Sequence, residues 1–140
     1  ILLATTGTED AQSHQVFDTE SLLAAQTLLR RMPVGDAVVE MILDLVRAFR
    51  PSDPSAGERV RETVAWGPGP RAAQALMLTV RARALLQGRL APSPEDVLDM
   101  ARPVLTHRMA LSFSAKARGE DLGALIDHVA QGMMRTEAAA

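Results

Sequence analysis

Apolar residues recur along this chain at spacings of three and four, the period of helices that bury one face. Asp18 or Thr19 is placed to cap a first helix running to about Arg31, with Leu22, Leu23, Gln26 and Leu29 on its inner face. Pro33 and Gly35 punctuate its end. A second helix starts near Asp36, whose carboxylate suits a positive helix start, and carries the stripe Val38, Met41, Ile42, Leu45 and Phe49. Pro51 stops it, and residues 51–57 (Pro-Ser-Asp-Pro-Ser-Ala-Gly) read as a loop.

The stretch from Val60 to Trp66 is ambiguous; Thr63-Val64-Ala65-Trp66 fits a short strand entering the turn Gly67-Pro68-Gly69-Pro70. A third helix begins near Pro70 and runs to Gln87. Pro suits a first helical position, because its missing N–H is not needed there, and Gly88 suits the left-handed position that closes the helix. Its stripe is Ala73, Leu76, Met77, Val80 and Ala84. Ser93-Pro94-Glu95-Asp96 combines a cap, a first-position Pro and acids in the first turn, a strong helix start. Val97, Leu98, Ala101 and Leu105 then face inward, and Pro103 is expected to kink or split this helix. Met109 to Phe113 fits a short strand, Lys116 to Glu120 a loop. A last helix spans about Asp121 to Met134, with Leu122, Leu125, Ile126, Val129 and Met133 on one face. The tail Ala138 to Ala140 is expected to fray. The fold class is all-α: a small bundle of about five helices with at most a short pair of strands.

Composition narrows the chemistry. The 140 residues make one domain, long enough to bury a core, with 47% hydrophobic and 23% charged residues. There is no Cys, which excludes disulfides and thiolate metal sites. The net charge of −2 and an aromatic content of 3% point away from nucleic acid as a partner. No apolar run approaches the roughly 20 residues that would span a membrane. The chain opens on Ile1-Leu2-Leu3 without Met or the charged start of a signal peptide, and reads as a piece of a longer protein. Lys116 is the only Lys; Ala117 follows it, where a P-loop needs Ser or Thr.

Little suggests an enzyme on this chain alone. His14, His107 and His128 lie on separate segments without Ser or Asp at a diagnostic spacing, and no metal-ligand spacing occurs, so the expected metal set is none. The unusual spot is Gly67-Pro68-Gly69-Pro70-Arg71-Ala72. Its glycines allow a close backbone approach, and a helix start beside a guanidinium suits an anion, phosphate above all. The plainer reading is that Arg71 pairs with a nearby acid while the glycines make the turn; taken alone, the short motif favours it. Arg81 and Arg83 read as a solvated face, His107-Arg108 as a helix C-terminal cap, and Met41, Met77, Met100, Met109 and Met133 as core.

The order of these pieces carries more than any one of them. Val34-Gly35-Asp36 opens a helix ending Leu45-Val46-Arg47-Ala48-Phe49-Arg50-Pro51; Gly67-Pro68-Gly69-Pro70-Arg71-Ala72 follows. Then come Ala84-Leu85-Leu86-Gln87-Gly88-Arg89, Pro92-Ser93-Pro94-Glu95-Asp96-Val97 and Pro103-Val104-Leu105-Thr106-His107-Arg108. From Val34 to Leu111 this succession resembles the C-terminal lid subdomain of MoxR-family AAA+ ATPases, whose stretches read like LVRATR, GASPRA, ALxGR, PxDV and PVLxHR. Phe49 stands for the family's Thr, and Pro68-Gly69 for its Ala-Ser.

The resemblance implies an AAA+ lid-like bundle over residues 17–135. Residues 1–16 would be a segment leaving an ATPase core, and 136–140 a tail. It implies that Arg71 is the sensor-2 arginine, a catalytic role in the full-length protein, and that Gly67, Pro70, Arg71 and Ala72 contact ATP. Mg2+ would be held by the core, which also supplies the P-loop, so this chain alone should not hydrolyse ATP. That role and the anion site read from the helix start agree, and together they outweigh the plainer reading of Arg71. The implied partners are the chain's own AAA+ core, neighbouring subunits in a hexameric ring, and a client with a von Willebrand factor A domain, in a chaperone-like cytoplasmic machine. Two alternatives stand beside this: a helical DNA- or protein-binding module, which for DNA would present Arg81, Arg83 and Arg89 as one continuous stripe, or a pure oligomerisation domain.

Overall fold

The computed structural model describes residues 14–137, so most of the segment expected to leave a core, and Ala138 to Ala140, lie outside the described residues. Among the described residues the elements are α1 (Thr19–Arg31), α2 (Asp36–Ala48), α3 (Glu58–Thr63), β1 (Val64–Trp66), α4 (Pro70–Leu86), α5 (Pro94–Leu105), β2 (Ala110–Leu111), α6 (Phe113–Ala117) and α7 (Leu122–Glu137). The five longer helices are those that the apolar period marks, and the two strands form one antiparallel pair.

Local chemistry sets most boundaries. Asp18 accepts the Ser21 N–H at 2.7 Å and caps α1. At α5, Ser93 and Asp96 form a reciprocal capping box behind Pro94. Gly88, at φ +73°, closes α4 by letting the Arg89 N–H return to the Ala84 carbonyl at 2.8 Å. Asp121 receives the Ala124 N–H at 2.6 Å at the start of α7, which runs through Glu137, past the expected end at Met134.

The core lies where α5 packs between α4 and α7, with α2 against α4 and α5. Leu45, Phe49, Leu76, Val80, Val97, Leu105, Leu125 and Ile126 are buried there, from stripes the period predicts. Arg102 lies across Gly123 and pairs with Asp127 at 2.7 Å, joining α5 to α7.

Four expectations are corrected. The predicted inner face of α1 is not buried: Leu22 and Leu23 are 49% and 56% exposed, because this helix rests chiefly on α4 with only Ala25 and Leu29 half-covered. Pro103 does not split α5. It sits in the last turn with its ring exposed, where it removes a single hydrogen bond, to the carbonyl of the solvent-exposed Asp99. Thr63 ends α3 instead of starting a strand; its hydroxyl donates to the Arg59 carbonyl at 2.5 Å. Phe113 to Ala117 form α6 in place of a strand end and a loop start, because Ser112 caps that turn by accepting the Ala115 N–H at 3.2 Å.

The strand pair closes the fold behind the turn of interest. Val64 faces Leu111 and Trp66 faces Ala110, with an irregularity between them, and the Ser112 N–H reaches the Thr63 carbonyl at 2.7 Å. β1 therefore delivers the chain to Gly67 from a fixed place. Among the described residues no helix is long and apolar enough to cross a membrane.

Candidate functional site

The turn at residues 67–70 is pressed onto the end of α2. A Cβ on Gly67 would lie 2.2 Å from the Phe49 carbonyl oxygen, so only glycine permits this approach. Pro68 is fully buried, and its carbonyl accepts the Arg50 Nε–H at 3.1 Å. Gly69 is the extended N-cap of α4, without a side chain to cap it, and Pro70 takes the first helical position.

Arg71 then stands in the first turn, exposed, with its guanidinium making no hydrogen bond or ion pair among the described residues. The Ala72 N–H is taken by the Gly69 carbonyl at 2.9 Å, and Pro68 and Pro70 have none to offer. That leaves the Arg71 guanidinium as the main donor at a helix end that is itself positive. The pairing of Arg71 with a nearby acid, the plainer of the two sequence readings, is absent from these residues. Of the four residues expected to touch nucleotide, Pro70 and Arg71 are exposed, Gly67 is half-buried against Phe49, and Ala72 is buried in the core beneath them.

The other arginines are placed differently. Asp96, buried at the start of α5, accepts Arg89 Nη2 at 2.6 Å, Arg89 Nη1 at 2.8 Å and Arg83 Nε at 3.1 Å, besides the Ser93 N–H at 2.8 Å. Arg83 also pairs with Asp99. The hydrogen bonds from Arg89 foremost hold the Asp96 carboxyl down to about 2, against the desolvation that would raise it. Arg83 is thus not a solvated side chain, and Arg81 is half-buried with its Nε enclosed. The stripe of Arg81, Arg83 and Arg89 that a DNA reader would present is not formed, since two of its members are bound to acids of the same chain.

Arg108 does cap α5, donating from Nη1 to the Val104 carbonyl at 2.8 Å with His107 beside it. Among the described residues no group of three or more His, Asp or Glu is placed to hold a metal ion. A groove of about 570 Å³ between α1, α2 and α4 is lined by Val39, Ile42, Leu43, Met77 and Leu78, with Arg30 at its edge. Two residues escaped the sequence reading: Arg50, which lies 18 positions before the carbonyl it holds, and Asp96 as the hub for two arginines. Neither has a local signal beyond the capping position of Asp96.

Comparison with known proteins follows the same lines. The sequence profile of the AAA lid domain matches residues 56–129. Chaperone MoxR1 of Mycobacterium tuberculosis (strain ATCC 25618 / H37Rv) is 32% identical over 111 residues, which cover 79% of this chain and 29% of that protein. The chain therefore spans under a third of that relative's length. A crystal structure of a proposed ATPase from Cytophaga hutchinsonii ATCC 33406 superposes with a TM-score of 0.83 at 22% identity, covering 91% of this chain and 39% of that one.

Proposed function

The chain belongs to the AAA lid domain family and is of the MoxR type, and on that basis we propose that it closes over ATP held mainly by an ATPase core, with Arg71 as its sensor-2 arginine. The observation that carries this reading is the state of Arg71: exposed, without a partner among the described residues, and fixed in the first turn of a helix whose entry turn is tied down.

The residues fit a polyphosphate. A guanidinium at a positive helix start offers planar donors to phosphate oxygens, and Pro70 beside it is exposed. Bound ATP supplies the γ-phosphoryl group for transfer to water. Arg71 would contact its terminal oxygens and favour the charge that builds there, a contribution of positioning and electrostatics. Gly67 and Ala72 act beneath Arg71, one by letting the turn lie against α2 and the other by anchoring the first turn in the core. Mg2+ would be held by the ATPase core, as in the sequence reading.

At the larger scale the lid would tilt with nucleotide state and move neighbouring subunits of a hexameric ring. The assembly would work in the cytoplasm as a chaperone-like machine on a client with a von Willebrand factor A domain. The test is Arg71→Ala in the full-length protein. ATP turnover should fall by about 10²-fold, the scale for losing one transition-state donor, while oligomers stay intact. Unchanged turnover in intact oligomers overturns the assignment.

A further inference from the structure

We infer that Arg50 is a positioning residue for Arg71, acting through the turn at residues 67–70; the inference rests on the sensor-2 reading above. Among the described residues Arg50 is the only side chain that hydrogen-bonds this turn, through Nε–H to the Pro68 carbonyl at 3.1 Å. The turn has few other means of holding itself. Pro68 and Pro70 lack N–H groups, and Gly69 cannot cap α4.

Both sides of the contact are anchored. Phe49 and Pro68 are fully buried, and the Gly67 backbone lies so close to α2 that a Cβ would be 3.0 Å from the Arg50 Cα. Arg50 is itself held in a tight turn, its N–H on the Arg47 carbonyl and its own carbonyl receiving the Asp53 N–H, both at 2.9 Å. Removing the guanidinium would leave the Pro68 carbonyl without a partner inside the fold, so the turn must shift to find one. Two proline rings with restricted φ pass such a shift on to Arg71 with little slack. Arg50 never needs to touch nucleotide for this.

The experiment is a double-mutant cycle of ATP turnover in the full-length protein, with Arg50→Ala, Arg71→Ala and the pair. Arg50→Ala should lower kcat by about tenfold, the scale of one lost charge-assisted hydrogen bond, and should lower it by less than about twofold once Arg71 is already Ala. The same fold loss in both backgrounds means that Arg50 serves the fold alone and overturns the proposal. Arg71→Ala with undiminished turnover instead removes the sensor-2 reading, a separate result. Arg50→Lys keeps a cationic donor for a single carbonyl and should stay within about threefold of the parent; a loss equal to that of Arg50→Ala refutes the proposal. Amide hydrogen exchange gives a readout independent of hydrolysis: Ala72, whose N–H is held by the Gly69 carbonyl, should exchange faster in Arg50→Ala, with Ala101 and Ile126 unchanged. Unaltered exchange at Ala72 also overturns it. Should Arg50→Ala fail to fold, Arg50→Met, which keeps an apolar stem but no donor, carries the same cycle.

Discussion

Asp96 shows how strongly one carboxylate can organise its neighbours. It is only 4% exposed, and it meets two guanidinium groups that are each about one-third exposed, at 33% and 37%. Those partners and the Ser93 N–H hold its pKa at about 2, below the ordinary aspartate range near 4. A depressed carboxylate stabilises the fold fully above its unfolded pKa and loses that contribution as the pH falls through its folded one. The window is therefore pH 4 down to pH 2, and the group accounts for at most about 2 kcal/mol across it, partner exposure reducing the figure. Urea unfolding should show the parent chain losing more stability than Asp96→Asn over that interval. At pH 7 the substitution should cost about 2 kcal/mol, because Arg89 loses its counter-charge and Arg83 keeps only Asp99. Equal pH slopes for the two proteins would show that Asp96 carries no such linkage. Arg71, by contrast, has no acid partner among the described residues, and a positive side chain at a positive helix end has a reason to meet an anion.

Helices with the same apolar period meet different fates here. α4 presses Leu76 and Val80 completely into the core, so Leu76→Ala should cost about 2–5 kcal/mol in urea or thermal unfolding. Leu23 sits on an equally clear stripe of α1 yet is 56% exposed, so Leu23→Ser should stay within about 0.5 kcal/mol of the parent. A large loss there would mean that α1 is covered by something beyond α4. The spacing of three and four reports that a helix has an apolar face, not what lies against it. The short elements were hard to read for a related reason: α3, β1, β2 and α6 are each six residues or fewer, too short for any period to assert itself. Their limits come from Thr63 and Ser112, single hydroxyls that find a backbone group nearby.

The chain carries Arg71, proposed above to face nucleotide, but no P-loop, since its one Lys, Lys116, is followed by Ala117 in α6. We therefore expect this chain, purified alone, to show no ATP turnover above background. Activity that survives repurification and is abolished in an Arg71→Ala sample would contradict the division of labour between lid and core. One end of α4 carries Arg71, while its other end is fastened to α5 through Arg83 and Asp96.

Caps, breakers and apolar period operate within about four residues, so they were legible in order along the chain. By themselves they determined the five longer helices, the turn at residues 67–70, and the place of Arg71 in the first turn of α4. Only the tertiary structure decided which arginines are occupied, which apolar face stays open, and what holds the turn. Arg83 meets Asp96 across 13 residues and Arg50 meets Pro68 across 18, separations over which no local rule sets a distance. Whether a charge is free or neutralised depends on how helices pack, and that packing ties up Arg83 and Arg89 while it leaves Arg71 without a partner among the described residues.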